Sequence, residues 1–271
     1  IFAAGLALEG LKPVVAIYST FIQRGYDHLI HDVCMQGLPV VFAMDRAGIV
    51  GEDGPTHHGV FDIAFTRSIP NLTIMAPANE DELADMVYTA IKSGKPCAIR
   101  YPRSQGTGIR MKDTPEGLQI GKAQLLSEGQ DLCLIAIGSM VEPALAASRI
   151  LSKQGISAAV INARFVKPLD QELILDTASS CGRVITIEEG TVAGGFGSAV
   201  LELIADEGLS NIRTLRMGIP DLFIEHGSRS ELLNDLGLNA YGIANAARLF
   251  CDEVEANRPA NGLLTVGRVT H

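Results

Sequence analysis

The chain has 271 residues, 47% of them hydrophobic and 20% charged, a globular composition with core enough for two ordinary domains. Its net charge of −9 argues against a nucleic-acid or anionic-membrane surface, and no apolar run approaches the length of a membrane span. Cys34, Cys97, Cys133, Cys181 and Cys251 are scattered and lack CxxC spacing, which fits buried thiols in a reducing compartment and gives no metal signature.

Residues 1–10 read as a helix entered in its middle, without a cap or an initiator Met. No basic region precedes them and Glu9 interrupts them, against a signal peptide. The expectation is the C-terminal piece of a longer protein. Residues 14–18, 40–44, 72–75 and 97–101 are apolar, β-rich runs and read as strands. Helices are expected over about 22–35 and 80–92. The second is well marked: Asn79 can cap it, Glu82 stands where a capping box wants a carboxylate, and Gly94 ends it. Leu83, Met86, Val87, Ala90 and Ile91 supply its apolar face.

Residues 104–117 lapse into Gly, Ser, Thr, Asp and Pro and read as a linker. A second alternating series occupies 118–255, with strands at 132–137, 158–162, 183–187 and 212–217. Its helices fall at about 141–153, 171–179, 197–206 and 240–255, and Ser139 with Glu142 reads as another capping box. Residues 256–271 read as a loosely ordered tail. Repeated β-α-β units imply parallel sheets with helices on both faces, so the fold class is α/β with two doubly wound domains.

The richest segment follows the apolar run Val40-Val41-Phe42-Ala43-Met44. Residues 45–59 hold four glycines and one proline, which forbid regular structure. They also hold Asp45, Arg46, Glu52, Asp53, His57 and His58. A loop leaving the carboxyl end of a buried strand is where open α/β sheets place their chemistry. The His57-His58 pair suits acid–base work or anion binding better than metal, since only Glu52 and Asp53 lie nearby as co-ligands.

Tyr18 and Phe21 leave the first strand and offer a flat surface to an aromatic ligand, or are ordinary core. Asp27, His28, His31 and Asp32 read as a solvated or interface face of a helix rather than a metal cluster. Arg100 and Arg103 suit a phosphate or carboxylate at a strand end, or are structural ion pairs; both readings stand. Gly194-Gly195-Phe196-Gly197-Ser198 departs from the dinucleotide fingerprint and reads as a close helix–sheet contact.

Five motifs, in order, then carry a resemblance: Ala16-Ile17-Tyr18-Ser19-Thr20-Phe21-Ile22-Gln23-Arg24, Asp45-Arg46-Ala47-Gly48, Asp53-Gly54-Pro55-Thr56-His57, Arg100-Tyr101-Pro102-Arg103 and Arg164-Phe165-Val166-Lys167-Pro168-Leu169-Asp170. The chain resembles the 1-deoxy-D-xylulose-5-phosphate synthase family of transketolase-like, thiamine-diphosphate enzymes, from Ile1 to about Val254. The resemblance implies a pyrimidine-binding domain over 1–103 and a transketolase C-terminal-type domain over 118–255. It implies thiamine diphosphate as cofactor, with Mg2+ held by an N-terminal domain that these residues do not include. The family's activating glutamate lies just before Ile1, so the resemblance also implies an isolated chain without activity.

The implied reaction condenses pyruvate with D-glyceraldehyde 3-phosphate, releases carbon dioxide and serves isoprenoid and thiamine biosynthesis. The implied setting is a homodimer in the cytoplasm or a plastid stroma. Phe21 would stack on the aminopyrimidine, with Tyr18 and Arg24 beside it. Arg46 and Arg103 would hold the acceptor's phosphate. Asp53 and His57 would contact its hydroxyl and carbonyl, with Tyr18 also lining the substrate site. Transketolase shares the motif around His57, but a histidine-containing segment replaces Asp45-Arg46-Ala47-Gly48 there. A 2-oxo-acid dehydrogenase β-subunit fits less well. A non-catalytic dimerisation or regulatory module is the remaining alternative.

Overall fold

The computed structural model describes residues 1–256, with side chains through Asp252. Among the described residues ten strands form two five-stranded sheets. In chain order they are β1 (Val14–Tyr18), β2 (Val41–Asp45), β3 (Thr73–Met75), β4 (Cys97–Arg100), β5 (Gln124–Ser127), β6 (Leu132–Ala136), β7 (Ala158–Asn162), β8 (Phe165–Lys167), β9 (Arg183–Thr191) and β10 (Arg213–Ile219). The first sheet has the order β1-β2-β4-β3-β8 and the second β10-β9-β6-β7-β5. Apart from the antiparallel edge strands β8 and β5, all pairings are parallel. β6 is buried along its whole length, as a strand covered on both faces must be.

The helix Glu80–Ser93 has the expected ends. The Asn79 side chain accepts from the Glu82 N–H at 2.9 Å, and Gly94 closes it in the left-handed conformation at φ 65°. Ser139 with Glu142 does not act as a cap: Met140 starts the helix Val141–Ser152 without a side-chain bond, and the Ser139 hydroxyl turns inward to Glu189. The single helix expected over 22–35 is instead a string of short pieces: Ser19–Ile22, a 3-10 turn Gln23–Gly25, Tyr26–His28 and a π-helical stretch Leu29–Cys34. Gly25, the weakest helix former after proline, sits at the break. His28 pairs with Asp32 and His31 with Asp27 on an exposed face, as read from their spacing. The expected tail lies outside the described residues from 257 onward, and Ala256 ends the helix Ala240–Ala256.

β8 belongs by sequence to the second half of the chain, yet it completes the first sheet. Arg164 takes a left-handed turn at φ 57° and sends the chain from β7 across to β3, where Lys167 pairs with Ile74 and Phe165 with Met75. The crossing is pinned on both sides. Ala76 N–H donates to the Arg164 carbonyl at 2.9 Å. The buried Glu82 carboxylate accepts from Arg164 Nε at 2.7 Å and Asn162 Nδ2 at 3.0 Å. Because Ala76 follows β3 and Asn162 ends β7, the two sheets abut along their carboxyl edges.

Candidate active site

The registers Tyr18↔Asp45 and Met44↔Arg100 put the ends of β1, β2 and β4 on one edge. Arg46 leaves β2 with φ 59°, unusual for a residue with a side chain. Its guanidinium pairs with Asp45 and lies 3.7 Å from the centre of the Tyr18 ring, a cation–π contact. Tyr18 stacks on Phe21 with ring centres 5.0 Å apart and planes 15° from parallel. Phe21 is 48% exposed, and His57 meets it edge-on at 5.8 Å. The result is an open aromatic ledge, a fitting seat for a flat heteroaromatic ring. Arg24 is exposed in the neighbouring turn and forms no hydrogen bond or ion pair with the described residues. Arg103 donates to Asp53 at 2.7 Å, and Thr56 Oγ1 lies 2.9 Å from His57 Nδ1.

A cavity of about 580 Å³ opens between the sheets at this edge, and Asp45, Arg46, Tyr101, Arg103, Ser139 and Arg229 are among its lining residues. Glu80 fixes its outer wall, accepting from Thr107 N–H at 2.9 Å and Gly108 N–H at 2.7 Å. Backbone donors, its own N–H and that of Thr107 first, draw the Glu80 carboxyl down to about 2. Among the described residues no group of three or more His, Cys, Asp or Glu could hold a metal ion.

Two residues suspected of site roles are structural. Arg100 is buried, bonded to Asp62 at 2.9 Å and to the Glu189 carbonyl at 2.9 Å. His58 is 3% exposed. Its Nδ1 accepts from Val50 N–H at 3.0 Å, which leaves the proton on Nε2, 3.4 Å from the Glu225 carbonyl.

Glu189, at the carboxyl end of β9, is a residue whose part was not legible in the sequence. It is 1% exposed, yet its carboxylate serves three segments. Ile49 N–H donates at 2.8 Å, Ser139 Oγ at 2.6 Å and Arg229 Nη2 at 2.5 Å. Gly48, at φ 85°, makes room for it: a Cβ there would lie 2.5 Å from Glu189 Cδ. Gly51 likewise lets the loop meet the second half of the chain, since a Cβ would stand 3.0 Å from the Arg229 nitrogen. The loop's glycines thus serve close docking between halves.

Beside it, Glu188 accepts from Phe196 and Gly197 N–H groups, each at 2.8 Å. The turn that resembles a phosphate cradle is therefore filled by an internal carboxylate, and Gly197 makes the expected close contact, its absent Cβ 2.4 Å from Thr186 Oγ1. Burial pushes the Glu188 carboxyl up to about 7 against those two donors and Arg100, while Asp62 adds a smaller upward push. The native value lies above the ordinary 4.5, so its stabilising contribution is full below about 4.5 and is lost as pH rises through 7. Stability should therefore decline between pH 5 and 7.5 by on the order of 2–3 kcal/mol more in the natural chain than in Glu188→Gln. Urea midpoints at both pH values check this; parallel profiles would refute it.

Two α/β sheets joined at their carboxyl edges, with an aromatic ledge and an arginine-lined cavity at the junction, define a two-domain chain of the transketolase type. Residues 1–107 match the family described as transketolase, pyrimidine binding domain, and residues 121–243 that described as transketolase, C-terminal domain. A solved structure described as a split gene transketolase, inactive beta4 tetramer, superposes with a TM-score of 0.77 and 30% identity, over 93% of this chain and 79% of that one. The chain belongs to the transketolase family. Within it the sequence is 55% identical over 259 residues to 1-deoxy-D-xylulose-5-phosphate synthase 1 of Geobacter sulfurreducens, covering 96% of this chain and 41% of that protein. It is 57% identical over 250 residues to 1-deoxy-D-xylulose-5-phosphate synthase of Thermomicrobium roseum, covering 92% of this chain and 40% of that protein. The chain thus spans about two fifths of the length of the curated relatives it matches. No helix among the described residues is long and apolar enough to cross a membrane.

Proposed function

We propose that this chain forms the pyrimidine-side and acceptor-side half of a 1-deoxy-D-xylulose-5-phosphate synthase, which joins pyruvate to D-glyceraldehyde 3-phosphate with loss of carbon dioxide. The observation that carries the reading is Arg46 and Arg103 lining one cavity beside Asp53, His57 and the Tyr18–Phe21 ledge. Bound thiamine diphosphate supplies the nucleophilic carbon and the electron sink. Phe21 and Tyr18 seat its pyrimidine ring. Arg46 and Arg103 grip the acceptor's phosphate, which fixes the aldehyde remotely from the reacting carbon. Asp53 accepts from the acceptor's hydroxyl, and His57 donates to the carbonyl oxygen as it gains charge. The Mg2+ and diphosphate contacts are assigned to other residues of the parent enzyme. A homodimer, which the family resemblance implies, is part of the same proposal.

In the full-length enzyme, Arg103→Ala should lower kcat/KM for glyceraldehyde 3-phosphate by roughly 1.5–3 kcal/mol, mostly through KM. The KM for pyruvate should stay close to normal, and the loss should shrink with unphosphorylated glyceraldehyde. Equal losses with both aldehydes would make Arg103 structural and remove the basis of the acceptor reading.

A further inference from the structure

Arg229 stands on the wall of the same cavity as Arg46 and Arg103 but comes from the other half of the chain. It opens the helix Arg229–Asp235, capped by Ser228, whose side chain accepts from Glu231 N–H. Its guanidinium is only partly used. Nη2 is bonded to Glu189, Nε is buried without a partner, and Nη1 makes no hydrogen bond to the described residues. An arginine whose fork faces a cavity with most of its donors idle is built to receive a further acceptor. Its carboxylate partner is itself immobilised. Glu189 is buried and held from the loop side by Ile49 N–H and from the second sheet by Ser139 Oγ. The backbone on either side of the contact is clamped as well, with Gly227 N–H reaching the Gly51 carbonyl at 3.4 Å.

We propose that Arg229 is a third cation for the acceptor's phosphate and that Glu189 is its positioning residue, coupling the second half of the chain to acceptor specificity. The inference rests on the acceptor reading above and extends it. Arg46 and Arg103 each have a part-exposed carboxylate neighbour, Asp45 with 29% and Asp53 with 39% of its side chain exposed. Glu189 cannot move without breaking three bonds. Arg229 is therefore the preorganised member of the set, and its contribution to anion binding costs little side-chain ordering. Glu189 fixes which way the fork points, so the donors it leaves idle can meet a phosphate oxygen that an unphosphorylated aldehyde does not offer.

The test uses the full-length, cofactor-loaded enzyme with glyceraldehyde 3-phosphate, unphosphorylated glyceraldehyde and pyruvate. Arg229→Ala should raise the KM for glyceraldehyde 3-phosphate roughly tenfold or more while moving the KM for glyceraldehyde and for pyruvate less than twofold. Arg229→Lys should fall between, because an ammonium cannot serve Glu189 and the phosphate as a fork does. Glu189→Gln keeps the size and an acceptor for Ile49 N–H but presents no anion to Arg229. It should raise the same KM about threefold to tenfold with a smaller change in kcat, and the double variant Glu189→Gln/Arg229→Ala should be no worse than Arg229→Ala alone. Losses that fall equally on both aldehydes, or that add in the double variant, would overturn the proposal. Arg103→Ala serves as the reference. If it shows phosphate-specific loss and Arg229→Ala does not, this inference alone fails; if neither does, the acceptor reading fails with it. Arg229 is 25% exposed at its side chain, so its truncation leaves a folded enzyme to assay even if Glu189→Gln does not.

Discussion

Asp62→Ala should destabilise the chain by about 3–5 kcal/mol, the cost of leaving a buried charge without its counterion. Arg100 is 4% and Asp62 0% exposed, and the Nε–Oδ2 distance is 2.9 Å. Water does not reach the pair, so solvent does not replace the lost partner. The same carboxylate also accepts from Ile63 N–H at 2.9 Å, so alanine removes a second bond. The surroundings set the upper limit. Asp62 helps to keep the Glu188 carboxyl raised, and without it Glu188 ionises more readily and returns part of the missing charge to Arg100. Asp62→Ala should therefore show a smaller decline of stability between pH 5 and 7.5 than the natural chain. Removing both charges, as in Asp62→Leu/Arg100→Met, should be less damaging than Asp62→Ala alone. Urea unfolding of the three chains decides it. A single variant within 1 kcal/mol of the natural chain would mean that the pair is solvated in ways its burial denies.

Gly48→Ala is the second large effect. The left-handed backbone at φ 85° alone costs about 1–2 kcal/mol with a Cβ. The new Cβ would also fall 2.5 Å from Glu189 Cδ, and forcing that carboxylate aside adds roughly 1–3 kcal/mol. The combined expectation is about 2–5 kcal/mol. Gly155 separates the two causes: it has φ 83° and open space around its Cβ position. Gly155→Ala should therefore show the backbone cost alone. Equal thermal shifts for the two variants would mean that Glu189 yields freely, which would also weaken its assignment as a fixed anchor.

The central strands and the Asn79 cap were legible because each depends on neighbours in sequence: an apolar run between breakers, or a side chain three residues from the N–H it accepts from. The same logic misread Ser139, since the spacing to Glu142 is right but a buried carboxylate from β9 offers its hydroxyl a stronger acceptor. β8 was hidden because Phe165-Val166-Lys167 is short and ends in a charge, whereas β3, equally short, sits in the apolar run from Leu72; the signal of β8 is one of partner edges and not of its own pattern. Within the loop the charged residues pointed to a candidate site. The division of labour did not show, because Arg100 and Arg103 differ only in which neighbour from elsewhere reaches them: Asp62 in the one case, Asp53 in the other. Glu189 and Arg229 stayed out of view for the same reason. Glu189 extends an apolar strand by two residues past Ile187, and Arg229 begins a short helix far from every motif; only the tertiary fold brings them to the cavity.

The crossover into β8 has a consequence for synthesis. Until Phe165–Lys167 leave the ribosome, β3 has one open edge, and the stretch from Leu72 to Met75 is almost purely apolar. At about 5–20 residues per second, that edge waits for several seconds while the chain from the linker through β7 is made. During this interval the nascent first sheet is a template for strand addition by any other emerging chain. Its correct closure therefore depends on the ribosome finishing the second half promptly. A pause that holds the chain before Phe165–Lys167 have emerged from the ribosome should harm yield more than one placed after they have emerged.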